Sequence, residues 1–270
     1  MKFKYVDKKI FSQQYNKYTN KELSKLYNVT EQTIINWAKN LKLPCKHNSW
    51  KNFTLSLSTY QESIIIGSLL GDASLCFSRK KTAKSNARLS ELHKKNHLEY
   101  LKWKQNQLIN IPSHIYYKKT IARKNIGNGK IISDSSRYYE SYQLQTIVHP
   151  YFTNLYNKWY KFDKKTNKYK KIIPENLKLN MTSFSIWFFD DGCTKKNNIA
   201  HIYTLNFQLT EIEILQKLIN KLNYNCQIKK FDKNKEQYFL SFSVNDTKKL
   251  KNDIKKSNNN IPNCMKYKIN

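Results

Sequence analysis

"IIIGSLLGDASL" (residues 64–75) sets an apolar run, relieved only by Gly67, Ser68 and Gly71, directly against an aspartate, Asp72. "SIWFFDDG" (185–192) repeats the arrangement and closes on Asp190, Asp191 and Gly192. The patterns predict helices over roughly 60–72 and 181–191, each ending at an acid. The C-terminal end of a helix is the negative pole of its dipole, so a carboxylate there is disfavoured by ~0.3–1 kcal/mol when exposed. A cation seated permanently at the helix end removes that cost. Gly67 and Gly71, four residues apart, would let two such helices approach closely and bring Asp72 and Asp191 together. Converged carboxylates beside exposed terminal carbonyl groups make an all-oxygen ligand set, the preference of Mg²⁺.

Charge says what such a site would meet. The 270-residue chain carries 49 Lys+Arg against 19 Asp+Glu, a formal +30, and a surface of that kind seeks a polyanion. No apolar run reaches the roughly 18–20 residues of a membrane span. The start, "MKFKYVDKKIF", lacks the apolar core of a secretory signal. Nucleic acid is therefore the expected partner, and a membrane is not. Cys45, Cys76, Cys193, Cys226 and Cys264 are odd in number, widely spaced and never form a Cys-x-x-Cys pair, which reads as reduced intracellular thiols. Abundant Lys, Asn, Ile and Tyr, all with A/T-rich codons, fit an organelle, a phage or virus, or an A/T-rich bacterium equally. His93 and His97 in "HKKNH" lack the glutamate of a metalloprotease helix and read as part of a partly exposed basic helix.

Three regions are expected. Residues 1–50 hold ten Lys and three acids (Asp7, Glu22, Glu31), a net charge of 10 − 3 = +7. In "YTNKELSKLYNVTEQTIINWAKNLKLP", Leu23 and Leu26 give one short apolar face. Ile34, Ile35, Ala38 and Leu41 give a second at helical spacing, with Thr30 placed to N-cap it and Pro44 beyond its end. Two short helices joined at "YNVT" resemble a helix-turn-helix, which would send Gln32, Thr33 and Asn36 to base edges and Lys39 to phosphate. A helical cap without groove contact is the competing reading.

From residue 60 the predicted order is helix, strand (74–79), strand (87–93), helix (95–109), strand (114–124), a Gly127/Gly129 turn, strand (137–148) and helix (150–160). After a lysine-rich stretch (161–171) the order begins again. It runs helix 181–191, strand 199–209, helix 210–222, strands 226–232 and 237–244, and a helix near 246–256. On the strand 199–209, His201, Tyr203, Leu205, Phe207 and Leu209 would share one face, with Ile202, Thr204, Asn206 and Gln208 on the other. The class is therefore α+β: a small N-terminal helical domain (1–50) and an unequal internal duplication (51–165 and 166–270) with antiparallel sheets.

"IIGSLLGDA" (65–73) and "FSIWFFDDG" (184–192) resemble the two motifs of the LAGLIDADG homing endonucleases, each with its acid at the eighth of nine positions. "KKIIPENL" (170–177) and "IPNCMKYKI" (261–269) resemble the family's segments before the second motif helix and at its C-terminus. The resemblance covers roughly 55–270 and is closest to single-chain, two-motif members encoded by mobile introns. It implies two pseudo-symmetric αββαββα repeats, with motif helices paired at the repeat interface and sheets that straddle the DNA major groove. It further implies catalytic metal carboxylates at Asp72 and Asp191, carbonyl ligands from Gly71 and Asp190, and basic residues Lys171 and Lys268 beside the two centres. Lys118, Thr204, Asn206, Gln208 and Lys229 become candidate DNA contacts. Phe207 falls near where relatives often carry a polar strand residue, with Gln208 as the substitute for positioning water. Ser185, Ile186 and Trp187, where small residues often pack, imply an asymmetric helix contact.

The implied activity is Mg²⁺-dependent hydrolysis of both strands of a long asymmetric DNA site, with Mn²⁺ as a substitute, staggered ends, and a monomer acting as an internal pseudo-dimer. Two rivals are an intron maturase, whose partner would be intron RNA, and a non-cleaving DNA-binding regulator. Retention of both motif acids favours cleavage.

Overall fold

The computed structural model describes residues 6–18, 20–43, 54–77, 85–125, 131–232, 234–257 and 260–270. The chain divides into two compact units, Met1–Thr54 and Leu55–Asn270.

The first unit contains α1 (Lys8–Lys17), α2 (Asn20–Leu26) and α3 (Glu31–Asn40). The first of these was not foreseen. Phe11, Tyr15, Leu23, Ile34, Trp37 and Ala38 are buried together, and Phe11, Tyr27 and Trp37 meet edge to face. The expected pairing of Leu23 with Leu26 fails, because Leu26 is 60% exposed while Trp37 supplies the bulk instead. Asn28 adopts a left-handed φ of 50°, which reverses the chain between α2 and α3. The Thr30 hydroxyl accepts the Thr33 amide at 3.2 Å, as an N-cap should. Pro44 lies outside the described residues.

The second unit opens with α4 (Thr59–Leu70), closed at its start by a reciprocal cap between Ser58 and Gln61. It is followed by β1 (Ala73–Phe77), β2 (Ala87–Lys94), a 3-10 turn (Lys95–His97), α5 (Leu98–Gln107), β3 (Ser113–Asn125), β4 (Ile131–Thr146) and α6 (Pro150–Trp159). A hairpin of β5 (Tyr160–Asp163) and β6 (Lys168–Lys171) follows, where only a lysine-rich connection was expected. Then come α7 (Met181–Asp191), β7 (Gly192–Thr194), β8 (Ala200–Tyr203), α8 (Leu209–Lys221), β9 (Cys226–Lys230), β10 (Tyr238–Phe242), α9 (Val244–Ser257) and a 3-10 turn (Asn263–Lys268). The Gly127/Gly129 turn lies outside the described residues.

The two sheets share one topology, β1-β2-β4-β3 and β7-β8-β10-β9, antiparallel throughout. Duplication is thus visible in strand order as well as in the motifs. The copies are unequal as expected, since β3 and β4 run 13 and 16 residues against five each for β9 and β10. One core runs through both repeats, from Ile64, Leu69 and Phe152 to Trp187, Ile202 and Leu250.

The strand expected over 199–209 stops at Tyr203. Residues 204–208 form a turn, with the Phe207 amide donating to the Thr204 carbonyl at 3.0 Å and Glu211 accepting the Gln208 amide at 2.8 Å. The predicted alternation of faces holds as far as Thr204. Ile202 and Thr204 point into the core, while His201 and Tyr203 are the half-exposed residues. Phe207 is drawn inward at the turn, where burying its ring outweighs continuing the ladder.

Contact between α4 and α7 organises this unit. Asn180 caps α7 and reaches across to donate to the Ser63 hydroxyl at 2.7 Å. A methyl group on Gly67 would press on the Ser183 carbonyl and stand 2.6 Å from Ile186 Cβ. The third motif position is therefore glycine on one helix and isoleucine on the other, which is the asymmetric contact that Ile186 implied. Gly67→Ala should lower the unfolding free energy by at least ~2 kcal/mol in urea titration, since backbone must move to admit the methyl. An unchanged midpoint would mean that the helices do not pack this closely.

Candidate active site

Both motif acids emerge at helix ends, but not alike. α4 stops at Leu70, so Asp72 follows the Gly71 cap and is exposed, whereas Asp191 is the last residue of α7 and is half-buried. Each helix end carries its own cation. Lys171 Nζ donates to the carbonyls of Leu69 (2.8 Å) and Ala73 (2.7 Å), and Lys268 Nζ to those of Phe189 (2.6 Å) and Asp190 (3.2 Å). These lysines answer the negative poles of the two dipoles, and burial holds both below the usual lysine pKa. Lys268 is placed by the C-terminal 3-10 turn, whose Asn263 and Cys264 amides donate to Glu99 at 3.1 Å each. Lys171 is the last residue of β6, so the unforeseen hairpin delivers one of the two lysines.

Asp190 differs in kind from its neighbour. Its carboxylate is buried and receives Tyr100 Oη at 2.9 Å, Lys104 Nζ at 3.0 and 3.1 Å, and the Asp72 amide at 3.4 Å. Gly71 is needed here too, since a methyl on it would lie 2.6 Å from Asp190 Oδ2. One lone pair of the Asp190 carbonyl, expected to face a metal, is taken by Lys268. Lys104 continues to Glu91 Oε1 at 2.6 Å, which also accepts His93 Nε2 at 2.5 Å, and His93 Nδ1 stands 3.7 Å from Asp72 Oδ2. A buried polar chain, Asp190–Lys104–Glu91–His93, therefore links the second motif to the first motif's acid.

Charge within this chain is distributed by burial and pairing. Burial raises Asp190 to about 6 against the pull of Lys104. Lys104 is desolvated, yet Asp190 and Glu91 together hold its pKa above the usual value. Glu91 would also rise on burial alone, but Lys104 and His93 hold it at about 2. The Glu91 hydrogen bond and charge outweigh burial at His93 and raise its pKa.

Asp191 has no hydrogen bond or ion pair among the described residues. Burial, with Asp190 and Asp72 adding negative potential, pushes it up to about 7. A desolvated carboxylate held near other acids, beside lysines already committed to carbonyls, is a donor set that a divalent cation would complete. Among the described residues, one ligand atom each of Asp72, His93 and Asp190 lie within 4.8 Å of one another, close enough to share a cation.

Sequence reasoning missed Glu91, His93, Tyr100 and Lys104 as members of the site. "HKKNH" is not a helix: His93 ends the buried face of β2, while His97 lies in the 3-10 turn. The signal was an inverted alternation in "ARLSELHK". Ala87, Leu89, Glu91 and His93 share the buried face, and Leu92 is 49% exposed on the other. Of the expected DNA contacts, Gln32, Asn36, Lys39, Lys118, Asn206, Gln208 and Lys229 are exposed and Thr33 is half-buried. Thr204 is 1% exposed and its hydroxyl donates to the Tyr238 carbonyl, which removes it from that set. Tyr116 and Tyr117 on β3, with Tyr138 and Tyr139 on β4, are exposed aromatics that the expectation left out.

Two apposed helices tipped with carboxylates, set between duplicated sheets with lysine and tyrosine at their surfaces, are the layout of a duplicated nuclease. A model described as the LAGLIDADG DNA endonuclease family matches residues 62–250, and the chain belongs to that family. It is 30% identical over 203 residues to a probable intron-encoded endonuclease 1 of Wickerhamomyces canadensis, covering 71% of this chain and 78% of that protein. It is 23% identical to the cytochrome b mRNA maturase bI2 of Debaryomyces hansenii, over 85% of this chain and 80% of that protein. A solved structure of I-DmoI in complex with DNA and Mn aligns at 18% identity and a TM-score of 0.43, over 72% of this chain and 96% of its own, too distant to bear on the site. No helix among the described residues is long and apolar enough to cross a membrane.

The raised Asp191 implies a pH dependence with a definite sign. Its pKa of about 7 lies above the ordinary carboxyl value of 3.8, so the metal-free fold carries no cost below about pH 4. The cost grows as the unfolded chain ionises first and is complete above pH 7. Asp191→Asn should therefore stabilise the metal-free protein by ~2–4 kcal/mol at pH 8, with little effect at pH 4. Urea unfolding in a chelator at both pH values checks this, and an equal gain at both would contradict it.

Proposed function

We propose that this chain is a site-specific endonuclease that cuts both strands of a long, asymmetric double-stranded DNA site and leaves staggered ends. One observation carries the reading: Asp72, just past the Gly71 cap of α4, and Asp191, the last residue of α7, stand at the ends of paired helices whose terminal carbonyls each seat a lysine. Divalent metal, Mg²⁺ with Mn²⁺ as a substitute, supplies Lewis acidity and an activated water there. Asp72 and Asp191, with the carbonyls of Gly71 and Asp190, would hold that charge. Lys171 and Lys268, near the carboxylates and partly starved of water, stabilise the added negative charge of the transition state.

The two sheets bind the duplex, with Lys118 and Lys229 on strands and Asn206 and Gln208 in the turn after β8 contacting it, and the tyrosines of the long β3–β4 ribbon extending the first repeat's reach. In the N-terminal unit, Gln32 and Asn36 are hydrogen-bonded to each other at 3.1 Å on the exposed face of α3. A Gln–Asn pair held this way is arranged to present amides to a base edge, with Thr33 beside them and Lys39 on phosphate. The chain acts as a monomer, its duplicated halves replacing two subunits. A maturase reading has the Debaryomyces hansenii relative in its favour. It gives no reason, however, for lysines sequestered behind two retained acids.

Asp72→Asn and Asp191→Asn should each abolish double-strand cleavage while target binding in gel shifts changes by less than about threefold, because affinity comes mainly from phosphate contacts. Cleavage by either variant at the wild-type rate would overturn the assignment. Deleting residues 1–54 should preserve cleavage at saturating protein, shorten the DNase footprint, and lower the salt slope by about 0.9 for each phosphate no longer neutralised. An unchanged footprint and slope would make that unit a cap rather than a reader.

A further inference from the structure

The two centres are not chemically equivalent, and the difference lies in β2. Ala73 and Gly192, each at the ninth motif position, pair with Glu91 and Ile202. Two residues further on stand His93 in the first repeat and Thr204 in the second, and the Thr204 hydroxyl is committed to the Tyr238 carbonyl. An imidazole thus faces the first motif acid, whereas the matching position of the second repeat holds a committed threonine.

Resting on the divalent-metal reading above, we propose that His93 Nδ1 is a direct ligand of the ion held by Asp72, so that the first centre is a nitrogen–oxygen site and the second all-oxygen. Three observations carry this. His93 Nδ1 stands 3.7 Å from Asp72 Oδ2, too far for a hydrogen bond between them. Two ligand atoms at about 2.1 Å from one ion lie about 3.0 Å apart when adjacent and about 4.2 Å when opposite. The observed spacing falls between those limits, so an ion between them needs the two atoms to close by about 0.7 Å to become adjacent ligands. Second, the other ring nitrogen is fixed: Nε2 donates to Glu91 Oε1 at 2.5 Å, and Glu91 is itself held by Lys104. A carboxylate on the far nitrogen orients an imidazole ligand and strengthens it as a donor. Third, the His93 side chain is 4% exposed, so the ring cannot turn away to solvent.

Asp190 comes close to the same point, since one atom each of Asp72, His93 and Asp190 lie within 4.8 Å of one another. Its oxygens, however, are occupied by Tyr100, Lys104 and the Asp72 amide. Asp190 therefore acts as the anchor of Lys104, which in turn sets Glu91 and His93.

The consequence is metal preference. Imidazole favours later first-row ions over Mg²⁺, whereas carboxylates and carbonyls alone do not. His93→Gln should weaken binding of Co²⁺ at the first centre by about tenfold or more, with Mn²⁺ affected less and Mg²⁺ changed by less than about twofold.

The test is pulsed EPR of the full-length protein with Mn²⁺ as the probe, below one equivalent. The wild type should show the coupling of a directly bound imidazole nitrogen. His93→Gln should lose it while still binding Mn²⁺, and His97→Gln should keep it, which separates the two neighbouring rings. If His93→Gln proves unstable, selective ¹⁵N-histidine labelling of the wild type changes the coupling without changing the fold. Mn²⁺ bound with no nitrogen coupling, or a coupling unaffected by His93→Gln, would overturn the ligand assignment and leave the endonuclease reading standing. Failure of the wild type to bind Mn²⁺, with Asp72 and Asp191 intact, would overturn both.

Discussion

Close approach of α4 and α7 is the constraint on which the rest of the second unit depends. Two helices can bring their C-terminal ends together only if their backbones nearly touch, and the structure meets this at two glycines of one helix. Gly67 receives Ser183 and Ile186, and Gly71 receives Asp190. That proximity concentrates negative charge from two dipoles and three aspartates in one small volume. The chain offsets it internally, with Lys171 and Lys268 on the carbonyls and Lys104 on Asp190. What remains is Asp191, whose carboxyl is raised to about 7 by burial and the neighbouring acids against the pull of Lys171 and Lys268.

The same arrangement explains why the repeats differ. A glycine on one helix must meet bulk on the other, so Ile186 stands where Gly67 stands. Asp190 fills the seventh motif position opposite Gly71, and its buried carboxylate requires a buried cation. Lys104 on α5 answers it, and Lys104 then permits Glu91 and His93 on a strand face otherwise lined with Ala87 and Leu89. Each departure from symmetry has its cause in the one before it. Breaking such a chain at a single member leaves an unpaired buried charge, which costs more than the pair contributes.

Much of this was legible in the sequence, and what was missed has physical reasons. The motif helices, the order of strands and helices in the first repeat, and the inequality of the repeats follow from apolar periodicity, which core burial enforces, whereas the three-residue β7 (Gly192–Thr194) is too short to show one. The β5–β6 hairpin escaped because its lysines hide an aromatic framework. Tyr156 and Tyr160 stack at 4.5 Å, and Asp163 organises the turn by accepting from the Lys165 amide and the Thr166 hydroxyl. The segment 204–208 looked like strand because Leu205 and Phe207 keep the alternation, but Gln208 and Glu211 cap the next helix and end the ladder first. Glu91 and Lys104 could not be paired from sequence at all, since 13 residues and a turn separate them and only the tertiary fold makes them neighbours.

The most direct test of the central claim is to locate the cation. Anomalous scattering from Mn²⁺ in crystals of the full chain bound to a DNA duplex should place density at the paired ends of α4 and α7, against the carboxylates of Asp72 and Asp191. Density elsewhere, or none at those helix ends with DNA in place, would contradict the account.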